Sequence, residues 1–157
     1  MEIRAATLGD YEDLNDLFKD ADRLHHTAVP RVFKGEEGSG RSREFIEEVL
    51  EDAASAILVA TRDDEVLGFI HMQVQNRPEL GPLYERSNLD VSALVVREGL
   101  RGLGIGRALL EKGLAWGKEL GLSGAELTVW SFNEDSVRFY ERMGFEMMTH
   151  RMRKELD

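Results

Sequence analysis

Apolar residues change their spacing several times along the chain, and each change marks an element. EIRAAT (2–7) predicts a short strand. Leu14, Leu17, Phe18, Ala21 and Leu24 then stand three and four apart, which predicts one buried face of a helix. Asp10 occupies its N-cap position and Asp13 its first turn, where an acidic side chain is favoured. Pro30 ends that helix within LHHTAVPRVF (24–33), and GEEGSG (35–40) reads as a polar link. Ser42 caps a second amphipathic helix carrying Phe45, Ile46, Val49 and Leu50. SAILVATRD (55–63) and VLGFIHMQVQ (66–75) are strand-like and joined by a tight turn, which predicts a hairpin. NRPELGPLYERSN (76–88) reads as loop and LDVSALVV (89–96) as the next strand. A glycine-rich turn follows at 97–106, then a helix to about Leu120, a strand at 125–132, a helix at 133–143 and a last strand at 145–156. Asn133 caps that last helix and Gly144 stands at its C′ position.

The element order is β-α-α-β-β-β-α-β-α-β. Strand 89–96, its helix and strand 125–132 form a β-α-β unit, so those two strands run parallel. The hairpin makes the earlier part antiparallel. The expected fold is therefore α/β (α+β) in a single domain over residues 1–157. It has a mixed, mostly antiparallel sheet of about six to seven strands flanked by about four helices.

Composition narrows the class. The chain has 157 residues, 42% hydrophobic and 32% charged, as expected of a globular protein that buries a core. No apolar run approaches the roughly 18 residues of a membrane span, and the N-terminus lacks the pattern of a signal peptide. A cytoplasmic location is expected. There is no cysteine, hence no thiolate nucleophile, no thiolate metal site and no disulfide framework. Adjacent His25 and His26 point to different helix faces and lack a third ligand, so no metal is expected. The net charge of −10 argues against nucleic acid as a partner and favours a cationic one. Against that acidic background, Arg97, Arg101, Arg107 and Lys112 make the glycine turn a basic island.

The turn itself is the main chemical signal. RGLGIGRALL (101–110) packs Gly102, Gly104 and Gly106 directly before a helix. Each glycine inside a helix costs about 0.5–1 kcal/mol relative to alanine, so bare backbone must serve something here. Strand, glycine turn and helix N-terminus together suit a phosphate. A dinucleotide fingerprint counted from Gly102 needs a third glycine where Arg107 stands, and a P-loop counted from Gly99 needs lysine where Ile105 stands. R-x-x-G-x-G, here Arg101 to Gly106, fits in full.

With NEDSVRFYERMGF (133–145) downstream, reading Asn-x(6)-Tyr-x(3)-Gly-Phe, the chain resembles the GNAT superfamily of acetyl-CoA-dependent N-acyltransferases. The resemblance spans essentially the whole chain. It implies that backbone N–H groups of Gly102, Leu103, Gly104, Ile105, Gly106 and Arg107 cradle the pyrophosphate of coenzyme A, with Arg101 or Arg107 adding charge. It implies an oxyanion donor among the backbone N–H groups of Leu94, Val95 and Val96, and pantetheine binding by Asn133. Tyr140 is implied as the general acid, and the acceptor as a primary amine of a small molecule, a peptide N-terminus or a lysine. Many members carry an acid on the strand before the glycine turn. Ser92 stands at that position, so Asp90, two residues earlier, and His71 on the neighbouring strand are the candidate bases, with Glu126 a third. A non-catalytic acyl-CoA-binding domain of the same fold is the alternative, and a homodimer stays open.

Overall fold

The computed structural model describes residues 1–157. Five strands form one sheet in the order β1 (Glu2–Ala5), β2 (Ser55–Arg62), β3 (Glu65–Arg77), β4 (Arg86–Val96) and β5 (Ala125–Leu127). The first four pair antiparallel, and β4 pairs with β5 in parallel, as the β-α-β order requires. Asp63 and Asp64 make the β2–β3 turn with φ of 49° and 65°, the left-handed conformation that acidic turn residues tolerate.

Helices cover both faces of the sheet. On one, α1 (Tyr11–Ala28) and α2 (Arg43–Glu51) bury Leu14, Leu17, Phe18, Ile46 and Val49 against Ile57, Val59 and Phe69. On the other, α3 (Ile105–Glu119) buries Ile105, Leu109 and Leu110 against Ile70, Met72, Leu89 and Val91. Gly113 and Gly117 face Met72 and Leu89, so α3 lies close to the sheet. The last helix, α4 (Glu134–Arg142), lays Phe139 and Tyr140 on the margin of this second core. No helix is long and apolar enough to cross a membrane.

Five details depart from the sequence reading, the first being that the strand predicted at 125–132 is only Ala125–Leu127. The sheet has five strands rather than six or seven. Residues 145–156 are largely exposed and join no strand, although Glu155 reaches Arg31 at 3.3 Å. The physical reason lies in β5, which pairs over three residues only, so the chain beyond Leu127 offers no ladder for a further strand. Conversely, β3 and β4 extend into the predicted loop as far as Arg77 and Arg86, leaving a short exposed connection. Finally, Asp10 does stand at the N-cap of α1, but its side chain does not cap the helix. It accepts both ends of the Arg4 guanidinium at 2.8 Å and the Thr7 N–H at 2.8 Å, pinning β1 to the start of α1.

Candidate active site

Parity along β4 defines the site. The Leu89 N–H donates to the Gly124 carbonyl, on the β5 side, whereas the Arg97 N–H donates to the Leu67 carbonyl, on the β3 side. Both numbers are odd, and backbone groups alternate sides along a strand, so one extra residue must lie between. The register supplies it. His71 faces Ala93 and Met72 faces Val91, leaving Ser92 as a bulge. Beyond the bulge the even residues therefore turn their N–H groups away from β3, so those of Leu94 and Val96 point toward β5.

No β5 backbone receives them. The β4–β5 pairing stops at Val91 and Leu127, and β5 itself ends there. A wedge opens from Ser92 to Val96, bordered by an unpaired backbone edge. Of the three N–H groups proposed as an oxyanion donor, Leu94 and Val96 face this wedge, while Val95, opposite Phe69, belongs to the β3 ladder.

The glycine turn stands at the end of the same strand. Gly102 and Gly104 adopt φ of 80° and 83°, which only glycine takes without strain. The first backbone N–H given to a carbonyl after Leu100 is that of Ala108, to Gly104, so every N–H from Arg101 to Arg107 is unpaired within the chain. Gly106 sits between Val96 of β4 and Phe139 of α4, where an added Cβ would lie 3.6 and 3.7 Å from their side chains. Strand end, donor run and α4 thus converge at one residue. Arg107 is drawn to Glu111 at 2.8 Å, so the exposed Arg101 is the better-placed cation.

Tyr140 packs edge-on against Phe139 and Phe145, with centroids 5.2 and 5.7 Å away. Burial pushes its phenol up to about 12, so it keeps its proton across the working pH range. Asn133 accepts the Ser136 N–H at 3.3 Å as the α4 cap, which leaves its side-chain amide N–H groups for a ligand.

The candidate bases lie on the opposite face, beneath α1 and α2. Side chains alternate, so His71 and Gln73 of β3 share that face with Asp90 of β4. Asp90 accepts the Ser92 hydroxyl at 3.1 Å. His71 is 5% exposed, and its Nε2 is buried without a hydrogen-bond partner. Desolvation holds its imidazole below the ordinary value; Asp90 opposes that shift and Arg41 adds to it. Glu126 meets Asn88 at 3.0 Å and Arg77 and Arg86 at 3.5 Å each, a structural set of partners that removes it from the candidate bases.

One aromatic cluster could not be paired from the sequence. Phe33 stacks near His25 (4.9 Å) and Trp130 (5.0 Å), and His25 near Phe132 (5.6 Å), joining the segment after α1 to the segment after β5. The aromatic residues were visible in the chain, but nothing local paired them across 100 positions. Tyr84 is 88% exposed on the β3–β4 connection.

The model of the acetyltransferase (GNAT) family matches residues 12–145. The chain belongs to this family. A mycothiol acetyltransferase of Rhodococcus jostii is 28% identical over 136 residues, covering 81% of this chain and 42% of that protein. An uncharacterized N-acetyltransferase of Methanocaldococcus jannaschii is 30% identical over 94 residues, covering 54% and 41%. The chain thus spans less than half the length of these curated relatives. Among solved structures, a mutant of the BH1408 protein from Bacillus halodurans superposes with a TM-score of 0.94 at 26% identity, over 99% of both chains. An aminoglycoside N-acetyltransferase solved in complex with CoA shares the fold, with a TM-score of 0.75 at 16% identity over 99% of both chains. Membership of the GNAT family supports acyl transfer as the general chemistry and explains why β4, the glycine turn and α4 meet.

Proposed function

We propose that this GNAT protein transfers the acetyl group of acetyl-CoA to a primary amine by direct attack, with both substrates bound together. The observation that carries the reading is the β4–β5 wedge beside the unpaired N–H run of Arg101 to Arg107. That run suits a pyrophosphate, since the Cβ positions at Gly102 and Gly104 meet nothing within 4 Å. Acetyl-CoA supplies the activated acyl group. Asn133 has amide N–H groups to offer the pantetheine arm. The N–H groups of Leu94 and Val96 are the donors for the thioester oxygen as charge builds on it.

The acceptor must lose a proton. An alkyl amine of pKa near ~10.4 is neutral in roughly one molecule in 2,500 at pH 7, a cost of about 4.6 kcal/mol. An α-amine, at about 7.7–8.0, needs only about 1 kcal/mol. We assign Asp90 to hold the ammonium and pass its proton to water; neutral His71 on the same face is the other base. As the C–N bond forms and the C–S bond breaks, Tyr140 gives its proton to the departing sulfur; the proton that the acylated nitrogen sheds leaves through Asp90 to water, and water restores the phenol.

The test is thiol release from acetyl-CoA with a panel of amines. Amine-dependent release that Tyr140→Phe suppresses supports the reading. Acetyl-CoA binding with no release for any amine would favour a binding domain.

A further inference from the structure

The face carrying Asp90 and His71 continues as a polar strip. Gln73 lies opposite Asp90, and Gln75 opposite Asn88, on the same side of β3 and β4. Contacts along the strip agree with that alternation. The Gln75 amide donates to Gln73 at 3.5 Å, and the Asn88 amide to Glu126 at 3.0 Å. A solvated strand face would account for polar residues alone, yet Asn88 and His71 are 7% and 5% exposed. The strip is therefore a partly enclosed surface with spare hydrogen-bonding capacity. Asp90 has no cation, and one weak mutual bond leaves most of the Gln73 and Gln75 amides unused.

The charges sort along it. On β5, Glu126 stands opposite Asp90, but its carboxylate turns to Arg77 and Arg86, so the carboxylate open to an ammonium is Asp90, beside the wedge. From His71 to Gln75 a strand rises about 13 Å, and three strands span about 10 Å. That is the footprint of one or two sugar-sized rings. An apolar amine would strip water from these carboxamides and return nothing, at about 1–3 kcal/mol per unpaired group.

We propose that the acceptor is a small amine bearing several hydroxyl groups, its ammonium on Asp90 and its hydroxyls on Gln73 and Gln75. This rests on the acetyltransferase reading above. Hydroxyls both donate and accept, which matches carboxamides that do both. A protein lysine, reached along an apolar stem, leaves the strip unused.

The experiment compares glucosamine, phenethylamine and a lysine-containing peptide in the thiol-release assay, with Gln73→Leu and Gln75→Leu beside the wild type. Both glutamines are half-exposed, and a thermal melt of each variant checks that the fold survives. The expected result is a kcat/KM for glucosamine at least tenfold above either alternative. The glutamine variants then raise the glucosamine KM about tenfold and leave the acetyl-CoA KM unchanged. Phenethylamine or the peptide as the better acceptor, or a glucosamine KM indifferent to both substitutions, overturns the proposal while leaving acetyl transfer intact. Acetyl-CoA binding with no glucosamine acetylated overturns it too. Failure to bind acetyl-CoA removes the underlying reading as well, and calorimetry tells these cases apart.

Discussion

Val91 and Leu127 are the last partners joining β4 to β5. One residue later the Ser92 bulge reverses the side to which each β4 backbone group points. The two features act together. The divergence opens the wedge, and the bulge turns the Leu94 and Val96 N–H groups into it. Tyr140 borders the core under α3, whereas Asp90 and His71 lie on the face under α1 and α2. The proposed acid and the proposed bases therefore stand on opposite faces of the sheet, with the wedge between them.

Tyr140→Phe should lower kcat by about 10²–10⁴ with little change in the KM for acetyl-CoA, because the ring keeps its packing and only the proton donor is lost. With its phenol raised to about 12 by burial, Tyr140 should contribute no alkaline limb to the wild-type profile below about pH 10. Steady-state kinetics across pH check both points. Full turnover by the variant, where chemistry limits the rate, would remove Tyr140 from the mechanism.

Asp90→Asn and His71→Gln separate the two bases. Asp90, Arg41 and the edge of Phe45 (6.4 Å) surround the His71 imidazole, and the net effect is a pKa below its ordinary value near 6.5. A limb from His71 would thus fall below about pH 6.5, the imidazole being neutral above it. A large loss of kcat in Asp90→Asn, with turnover largely retained in His71→Gln, is the expected pattern. The reverse pattern would move the proton transfer to His71.

The Arg4–Asp10 pair sets an acid-stability prediction. The Arg4 guanidinium, bonded to the Asp10 carboxylate, holds its pKa below the ordinary carboxylate value despite burial, and the Thr7 N–H adds to this. A lowered folded-state pKa contributes stability that is present above the unfolded value, near ~3.9, and is lost as pH falls through the folded one. Asp10→Asn should lower the melting temperature at pH 7 and narrow its gap to wild type as pH drops below about 4. The guanidinium is partly exposed, so about 1–2 kcal/mol is the expected scale. An equal gap at both pH values would contradict the pairing.

What the sequence made legible was local. Ser42 and Asn133 cap the helices predicted for them, at 3.1 and 3.3 Å from Phe45 N and Ser136 N, because capping needs only neighbours. The strand–glycine–helix passage at 89–120 was equally readable, since β-propensity, left-handed turns and helical spacing all act within a few residues. Features that depend on a partner strand were not. The Ser92 bulge exists only relative to His71 and Met72, and the face shared by Gln73 and Asp90 exists only through register. The predicted strand at 145–156 has strand-like residues but no edge to join, and propensity without a ladder does not make a strand. Asp10 looked like a cap until Arg4, six residues back, proved the stronger partner.

Calorimetric titration of the wild-type protein and Gly104→Asp with acetyl-CoA tests the central claim most directly. Gly104 has φ of 83° and open space around its Cβ position, so the substitution should cost about 1–2 kcal/mol of backbone strain without a clash. It would also set a carboxylate among the N–H groups meant for phosphate. Binding by the wild type that the folded variant loses is the predicted result. No binding by the wild type, or equal binding by both, would contradict the cradle and the acetyl-transfer account built on it.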